Sequence, residues 1–198
     1  VLSQSSVITS YYPDFAIHTN NRGDAIIGEL LSFVPDVLFI EGNKAYLVNP
    51  LSSDASVYSY GQAHSIFEGR YRQSAFEVNR IQVEGYDPAS GGPIVVDSFS
   101  WSKIDKLYDR LKQLEDRNID TVTKAEQRGA AYLRRAEMES GSGSIRIPVN
   151  CGQQIYDVID ITDSRAGRSA EKKRVLGIVL SHNPSRGQYE QSLALGAV

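Results

Sequence analysis

Chemically versatile side chains are scarce in this chain of 198 residues, which holds one Cys, one Met, one Trp and three His. The lone Cys151 forms no disulfide within the chain and excludes a Cys-based zinc site. His18, His64 and His182 lie far apart and in no ligand-spaced pair, so a metal would need long-range convergence. A formal net charge of -3 is too small to draw the whole molecule to nucleic acid or to an anionic membrane. No apolar run approaches the roughly 18 residues of a spanning helix, since the longest, Val34 to Ile40, contains Pro35 and Asp36. No basic-then-apolar leader opens the sequence, and the start at Val1 reads as a piece of a longer chain.

What remains is ordinary globular composition, 41% hydrophobic and 23% charged, with 16 Gly and 11 Tyr. A chain this size buries about 70% of its unfolded surface and folds without staples. The tyrosines read equally as amphipathic surface suited to interfaces or as half-buried sheet positions.

The pattern along the chain is α+β, predominantly antiparallel β with one or two amphipathic helices. Residues 1–23 read as an N-terminal arm, 24–140 as a mixed α+β domain, and 141–198 as a C-terminal β-rich unit packed with it. From Asp24, placed to cap the first turn, Ile26, Ile27, Leu30, Leu31 and Val34 follow helical spacing until Pro35 stops it. Val37 to Ile40 and Ala45 to Val48 form a hairpin around Glu41-Gly42-Asn43. After a polar, Tyr-rich stretch from Pro50 to Arg72, residues Ala75 to Gly85 alternate as a strand whose phase slips at Asn79-Arg80. The turn Asp87 to Pro93 leads into Ile94 to Val96 as a second hairpin.

Two helices follow, over about 102–117 and 120–139. Ser102 with Asp105 resembles a capping box, and Ile104, Leu107, Tyr108, Leu111 and Leu114 make one stripe. Asp120 or Thr121 caps the second, which carries Val122, Ala125, Gly129, Tyr132, Leu133 and Ala136 and ends at Gly141 to Ser144. Four β runs follow: Ile145 to Val149, Ile155 to Thr162, Val175 to His182 and Tyr189 to Leu195, the last two joined by the turn Asn183 to Gly187.

Candidate chemistry is thin. Cys151 as a nucleophile needs His64 or His182 within reach, and otherwise reads as a small residue at a strand end. Asp157 and Asp163 share one strand face and Asp160 the other, so the three do not converge and read as solvent-facing edge acids. Arg22-Gly23-Asp24 is too short to identify an adhesion site, and Ser140 to Ser144 follows a helix where a phosphate cradle must precede one. Arg165, Arg168, Lys172, Lys173 and Arg174 form a basic patch in a loop between two strands. Without neighbouring aromatics the patch suits a solvated loop or a protein contact, not a specific nucleic-acid site. Tyr58, Tyr60 and Tyr71 are candidate interface residues, or a platform for a carbohydrate.

The order of these elements resembles the hub or tail-tip proteins of tailed bacteriophages, the late control protein D and prophage tail protein group, over Asp24 to Ala197. Three pieces carry the resemblance: Asn79-Arg80-Ile81-Gln82-Val83-Glu84-Gly85-Tyr86-Asp87; Tyr108-Asp109-Arg110 with Ile119-Asp120-Thr121 and the Ala-rich helix ending Tyr132-Leu133-Arg134; and the terminal β unit from Ser144 to Leu195. That unit commonly has a Gly-Asp pair before its second strand, where this sequence has Gly152-Gln153. In that group the segment around Tyr108 is extended, against the helix that the stripe predicts.

The resemblance implies a non-enzymatic structural subunit of a phage or prophage tail, with no cofactor and no catalytic or metal residues. It implies a homotrimeric ring joining the tail tube to baseplate or fibre proteins, located in the virion tail, or in the bacterial cytoplasm during assembly. The alternative is a tail-associated cell-wall hydrolase, resting on Asp157, Asp160, His64 and Cys151, or a carbohydrate-binding module.

Overall fold

A computed structural model describes residues 4–12, 16–72 and 78–198. The helices are α1 (Ser6–Ser10), α2 (Gly23–Leu31), α3 (Trp101–Leu107) and α4 (Val122–Glu139). The strands are β1 (Val37–Glu41), β2 (Lys44–Val48), β3 (Tyr58–Tyr60), β4 (Glu68–Tyr71), β5 (Arg80–Asp87), β6 (Gly92–Phe99), β7 (Leu111–Glu115), β8 (Gly143–Pro148), β9 (Val158–Asp163), β10 (Arg168–Asn183) and β11 (Gln188–Gly196). The class is α+β with mostly antiparallel pairing, as the sequence pattern predicts. The chain divides into two compact units: residues 1–50 with 76–136, and residues 51–75 with 137–198.

In the first unit β1 and β2 pair antiparallel around Gly42, whose φ of 59° is the left-handed conformation the Gly-Asn turn was expected to need. A second sheet has the order β6-β5-β7. Ile81 and Val83 point inward and join Phe33, Ile119 and Ala125 in a core to which Val96, Leu114 and Tyr132 also pack. Each such aliphatic side chain contributes roughly 1.5–3 kcal/mol when fully buried. Helix α4 approaches closely because Gly129 has no side chain, and a Cβ there would lie 2.3 Å from Ser98 Oγ. The end of α2 is tied to α4 by Arg135, whose guanidinium donates to the carbonyls of Leu31, Val34 and Asp36.

Several caps differ from expectation. Asp24 lies inside the first turn of α2, paired with Arg22 at 2.6 Å, where its charge complements the helix dipole but does not cap. Ser102 also lies within its helix, which starts after Ser100. Thr121 does cap α4, accepting from the Lys124 N–H at 3.3 Å. Within the expected arm, residues 6–10 form α1, and Tyr11 stacks on Phe33 at 5.4 Å.

The predicted helix over 102–117 is corrected: α3 stops at Leu107 and residues 111–115 are β7, parallel to β5. The break is held from outside the segment. Asn79, fully buried, donates from its side chain to the Tyr108 carbonyl at 2.6 Å and accepts from the Arg110 N–H at 2.7 Å. Tyr108 then adopts φ 64°, which no helix accommodates. The phase slip at Asn79-Arg80 is this clamp at the start of β5. The expected strand start at Ala75 lies outside the described residues.

The second unit is one sheet in the order β3-β9-β10-β11-β8-β4, antiparallel except for β3 with β9. Ile145 and Ile147 from β8, Ile159 and Ile161 from β9, Val175 from β10, and Leu193 and Leu195 from β11 fill its concave face. The sheet curls until its far end meets its near end, because the Tyr71 hydroxyl on β4 donates to Asp163 on β9 at 3.1 Å. The β9-β10 and β10-β11 hairpins use one turn twice. Asp163 and Asn183 enter extended, three residues form a 3-10 turn, and Gly167 and Gly187 leave with φ of 65° and 61°. This short repeat is hidden in the sequence by substitution at every position except the glycine.

Candidate functional site

The expected basic loop is another difference, since Arg168 to Arg174 are the first half of β10, paired with β9. Charges sit in a strand here because they neutralise one another: Glu171 takes Arg168 at 2.6 Å and Lys173 at 2.9 Å. Arg165 lies in the turn and holds Asp163 at 3.0 Å while donating to the carbonyls of Ile66 and Phe67. Arg168 lies over the Tyr71 ring at 5.4 Å. Arg165, Arg168, Tyr71 and Asp163 therefore make a clasp across the seam of the curled sheet, and Lys172 is exposed.

Arg174 is no part of any surface. It is fully buried and donates to Leu51 O at 2.6 Å, Tyr156 O at 2.9 Å and Asp54 at 3.0 Å. Tyr60 is likewise interior, its hydroxyl donating to Gln153 at 2.8 Å and accepting from Asn150 at 2.9 Å. Tyr58 is exposed and its ring lies 4.9 Å from that of the buried Tyr60, which offers no open face to a platform shared by the three tyrosines.

Of the hydrolase candidates, Asp157, Asp160 and His64 have structural partners of their own. Asp160 accepts from Ser56 at 2.5 Å. Asp157 accepts from Gln153 and from the Gln154 N–H, both at 2.8 Å, and burial pushes its carboxyl upward in pKa. His64 Nε2 donates to the Pro148 carbonyl at 3.0 Å, so its Nδ1 is left to accept from Tyr58 at 3.1 Å. Cys151 is exposed in the turn after β8, and His182 packs edge-on against Tyr189. Among the described residues no three metal-ligating side chains lie together, and no helix is long and apolar enough to cross a membrane.

The Arg165 guanidinium, helped by the Tyr71 hydroxyl, holds the Asp163 carboxyl below its usual range. A lowered folded-state pKa means that the clasp stabilises above the ordinary Asp value of about 3.9 and is lost as pH falls below it. Acid titration of unfolding should therefore show a loss below about pH 4 that Asp163→Asn lacks, the variant being less stable already at neutral pH. Superimposable acid limbs for the two proteins would refute this.

One surface remains without such partners. β9 pairs with β10 only from Arg168 to Arg174, and β11 pairs with it from Arg174 to Asn183 on the other side. Beyond Val175, among the described residues, no second strand pairs with the β9-side edge of β10. This edge carries Val179 and Leu180, 66% and 56% exposed, with Tyr189 also outward on β11. It has none of the lysines, prolines or inward charges that usually blunt a free edge.

No family model and no curated protein sequence matches the chain. Solved structures do. A 43 kDa tail protein of prophage MuSo2 from Shewanella oneidensis superposes over 92% of this chain with a TM-score of 0.65 at 15% identity, covering 54% of that protein. A tail protein from Neisseria meningitidis gives a TM-score of 0.67 at 12% identity, over 92% of this chain and 57% of its own. The fold is that of prophage tail proteins.

The tail-protein fold extends to prophage tail protein gp18 from Listeria monocytogenes, with a TM-score of 0.55, 11% identity and 90% and 53% coverage. The chain spans about half the length of these tail proteins. Within this tail-protein fold the open β10 edge was missed in the sequence, although Ile178-Val179-Leu180 is an uncharged β-forming run that signals it.

Proposed function

We propose that the chain is a structural, non-enzymatic subunit of a phage or prophage tail, part of a baseplate hub or tail tip. In this reading it closes into a homotrimeric ring that joins the tail tube to distal tail components in the virion. The observation that carries the proposal is the likeness of fold over nine-tenths of the chain to several tail proteins and to a component of a gene transfer agent virion, the latter with a TM-score of 0.55 at 13% identity. A three-fold ring needs two different complementary patches on each subunit. The open edge of β10 beyond its irregularity at Val175/Gly177 supplies one, fit to accept a strand by main-chain hydrogen bonding. Lys172 and Tyr58 are further interface residues in this reading.

Native mass spectrometry of the purified chain tests it. A trimer is expected, converting to monomer when Val179→Lys and Leu180→Lys are introduced together on the open edge. A strictly monomeric protein that is also absent from purified particles would overturn the proposal.

A further inference from the structure

The outward face of the β6-β5-β7 sheet is an unusual surface of the first unit. Strand alternation sends Arg80, Gln82, Glu84 and Tyr86 of β5 away from the core while Ile81 and Val83 point into it. Register places Phe99 and Leu111 beside Arg80, and Asp97 and Gln113 beside Gln82. These side chains bond laterally into a ladder. Gln113 donates to Gln82 at 2.8 Å, Gln82 to Asp97 at 3.5 Å, and Arg80 to Asp97 at 3.0 Å and to Asp109 at 2.9 Å. Their conformations are thereby fixed, while part of each polar group still faces solvent.

Rings stand at both ends of the ladder. At one end Phe99 and Trp101 stack with centroids 4.6 Å apart and planes inclined by 17°, and Trp101 is 64% exposed. The Arg80 guanidinium lies 5.2 Å from the Phe99 centroid. At the other end Tyr86 and Pro93 help to wall a cavity of about 590 Å³ that Glu84, Glu115 and Arg117 also line. Along β5 the two ends lie about 20 Å apart.

We infer that this face binds a neutral carbohydrate chain. Its anatomy separates that ligand from the other macromolecules. A protein-binding patch concentrates apolar side chains at its centre and polar ones at its rim; here a ladder of charged and amide groups crosses the middle, where Val95 beside Glu84 is the apolar exception, and the rings are at the ends. A nucleic acid needs a positive groove beside its stacking platform; here Glu84, Asp97, Asp109 and Glu115 outnumber Arg80 and Arg117. A polyhydroxylated chain satisfies both halves of the pattern. Its C–H faces lie on exposed rings, and its hydroxyls meet carboxylate, amide and guanidinium groups already held in place, so little side-chain entropy is lost on binding. The inference is independent of ring assembly, since it rests on a different face.

The test uses the intact chain, whose only Trp is the proposed platform. Binding is screened on a glycan array and followed by Trp101 emission during titration with a linear tetramer of N-acetylglucosamine and with a linear glucose tetramer. A saturable emission change with at least one of these tetramers, or retention of array glycans, is expected. Calorimetry with the bound glycan should show affinity falling at least about tenfold in Trp101→Ala and in Asp97→Asn. Circular dichroism and the thermal midpoint check that both variants remain folded. No retention of any glycan would overturn the inference. So would equal affinity of the folded variants, or a change of native mass in Trp101→Ala, which would assign the face to a protein interface.

Discussion

Replacing Arg174 with Met lowers the unfolding free energy by about 3–5 kcal/mol, a drop of roughly 10 °C or more in thermal midpoint. The side chain is fully buried, so Met fills much of its volume and packing is not the main loss. What is lost is the guanidinium that serves the Leu51 and Tyr156 carbonyls and the Asp54 carboxylate at once. The Tyr156 carbonyl and the Asp54 carboxylate would lose their charged donor in a part-buried setting, while Leu51 and Asp54 keep only their mutual bonds, Leu51 N–H to the Asp54 carboxylate and Asp54 N–H to the Leu51 carbonyl. Tyr156 adds to the effect, because its backbone stands at φ 69° and Arg174 is one of the groups that holds it there. Arg174→Lys should recover only part of the loss, since one ammonium cannot reproduce the fork that reaches three acceptors. Differential scanning calorimetry of the three proteins decides the matter, and a Met variant within a degree or two of the parent would refute it.

Gly61→Ala is expected to be as damaging, by about 3 kcal/mol or more, from a single methyl group. Gly61 ends β3 with φ 107°, a conformation unfavourable to any L side chain. A Cβ there would come within 1.6 Å of the Thr162 carbonyl oxygen, an atom of β9 that cannot move without breaking its sheet. The neighbouring loop depends on the same point, because Gly61 N–H donates to His64 O at 2.8 Å. Chemical denaturation with near-ultraviolet dichroism, which reports the clustered rings of Tyr58, Tyr60 and His64, should show the loss; an unchanged midpoint would count against the account.

The contrast between these sites and the rest of the chain shows what a sequence discloses. The β1-β2 hairpin, helix α4 and the two last strands were legible because their signals are local: a Gly-Asn turn, a long amphipathic repeat with a Thr cap, and β-branched runs between turns. The stripe from Ile104 to Leu114 misled because the residue that breaks it, Asn79, lies 29 positions from Tyr108, whose carbonyl it binds. The first half of β10 read as a loop because its charges look solvated, and only the pairing of Glu171 with two cations makes a strand of them. Arg174 looked like the end of a basic patch, since nothing nearby in sequence indicates that Asp54, 120 residues away, awaits it. Strands β3 and β4 are only three and four residues long and exist as partners of β9 and β8.

The alternation of the two units along the chain governs the order in which they can be made. Residues 51–75 emerge from the ribosome early but find their partners only when 137–198 arrive, as with Ser56 and Asp160, 104 residues apart. During synthesis β3 and β4 therefore wait as bare extended segments with unmatched main-chain groups. Nothing is gained from them until the last third of the chain is complete, and the loop entropy between is spent in one late step. Progressive truncation from the C-terminus would accordingly remove the whole six-stranded sheet at once, leaving the early-emerging strands as sticky remnants.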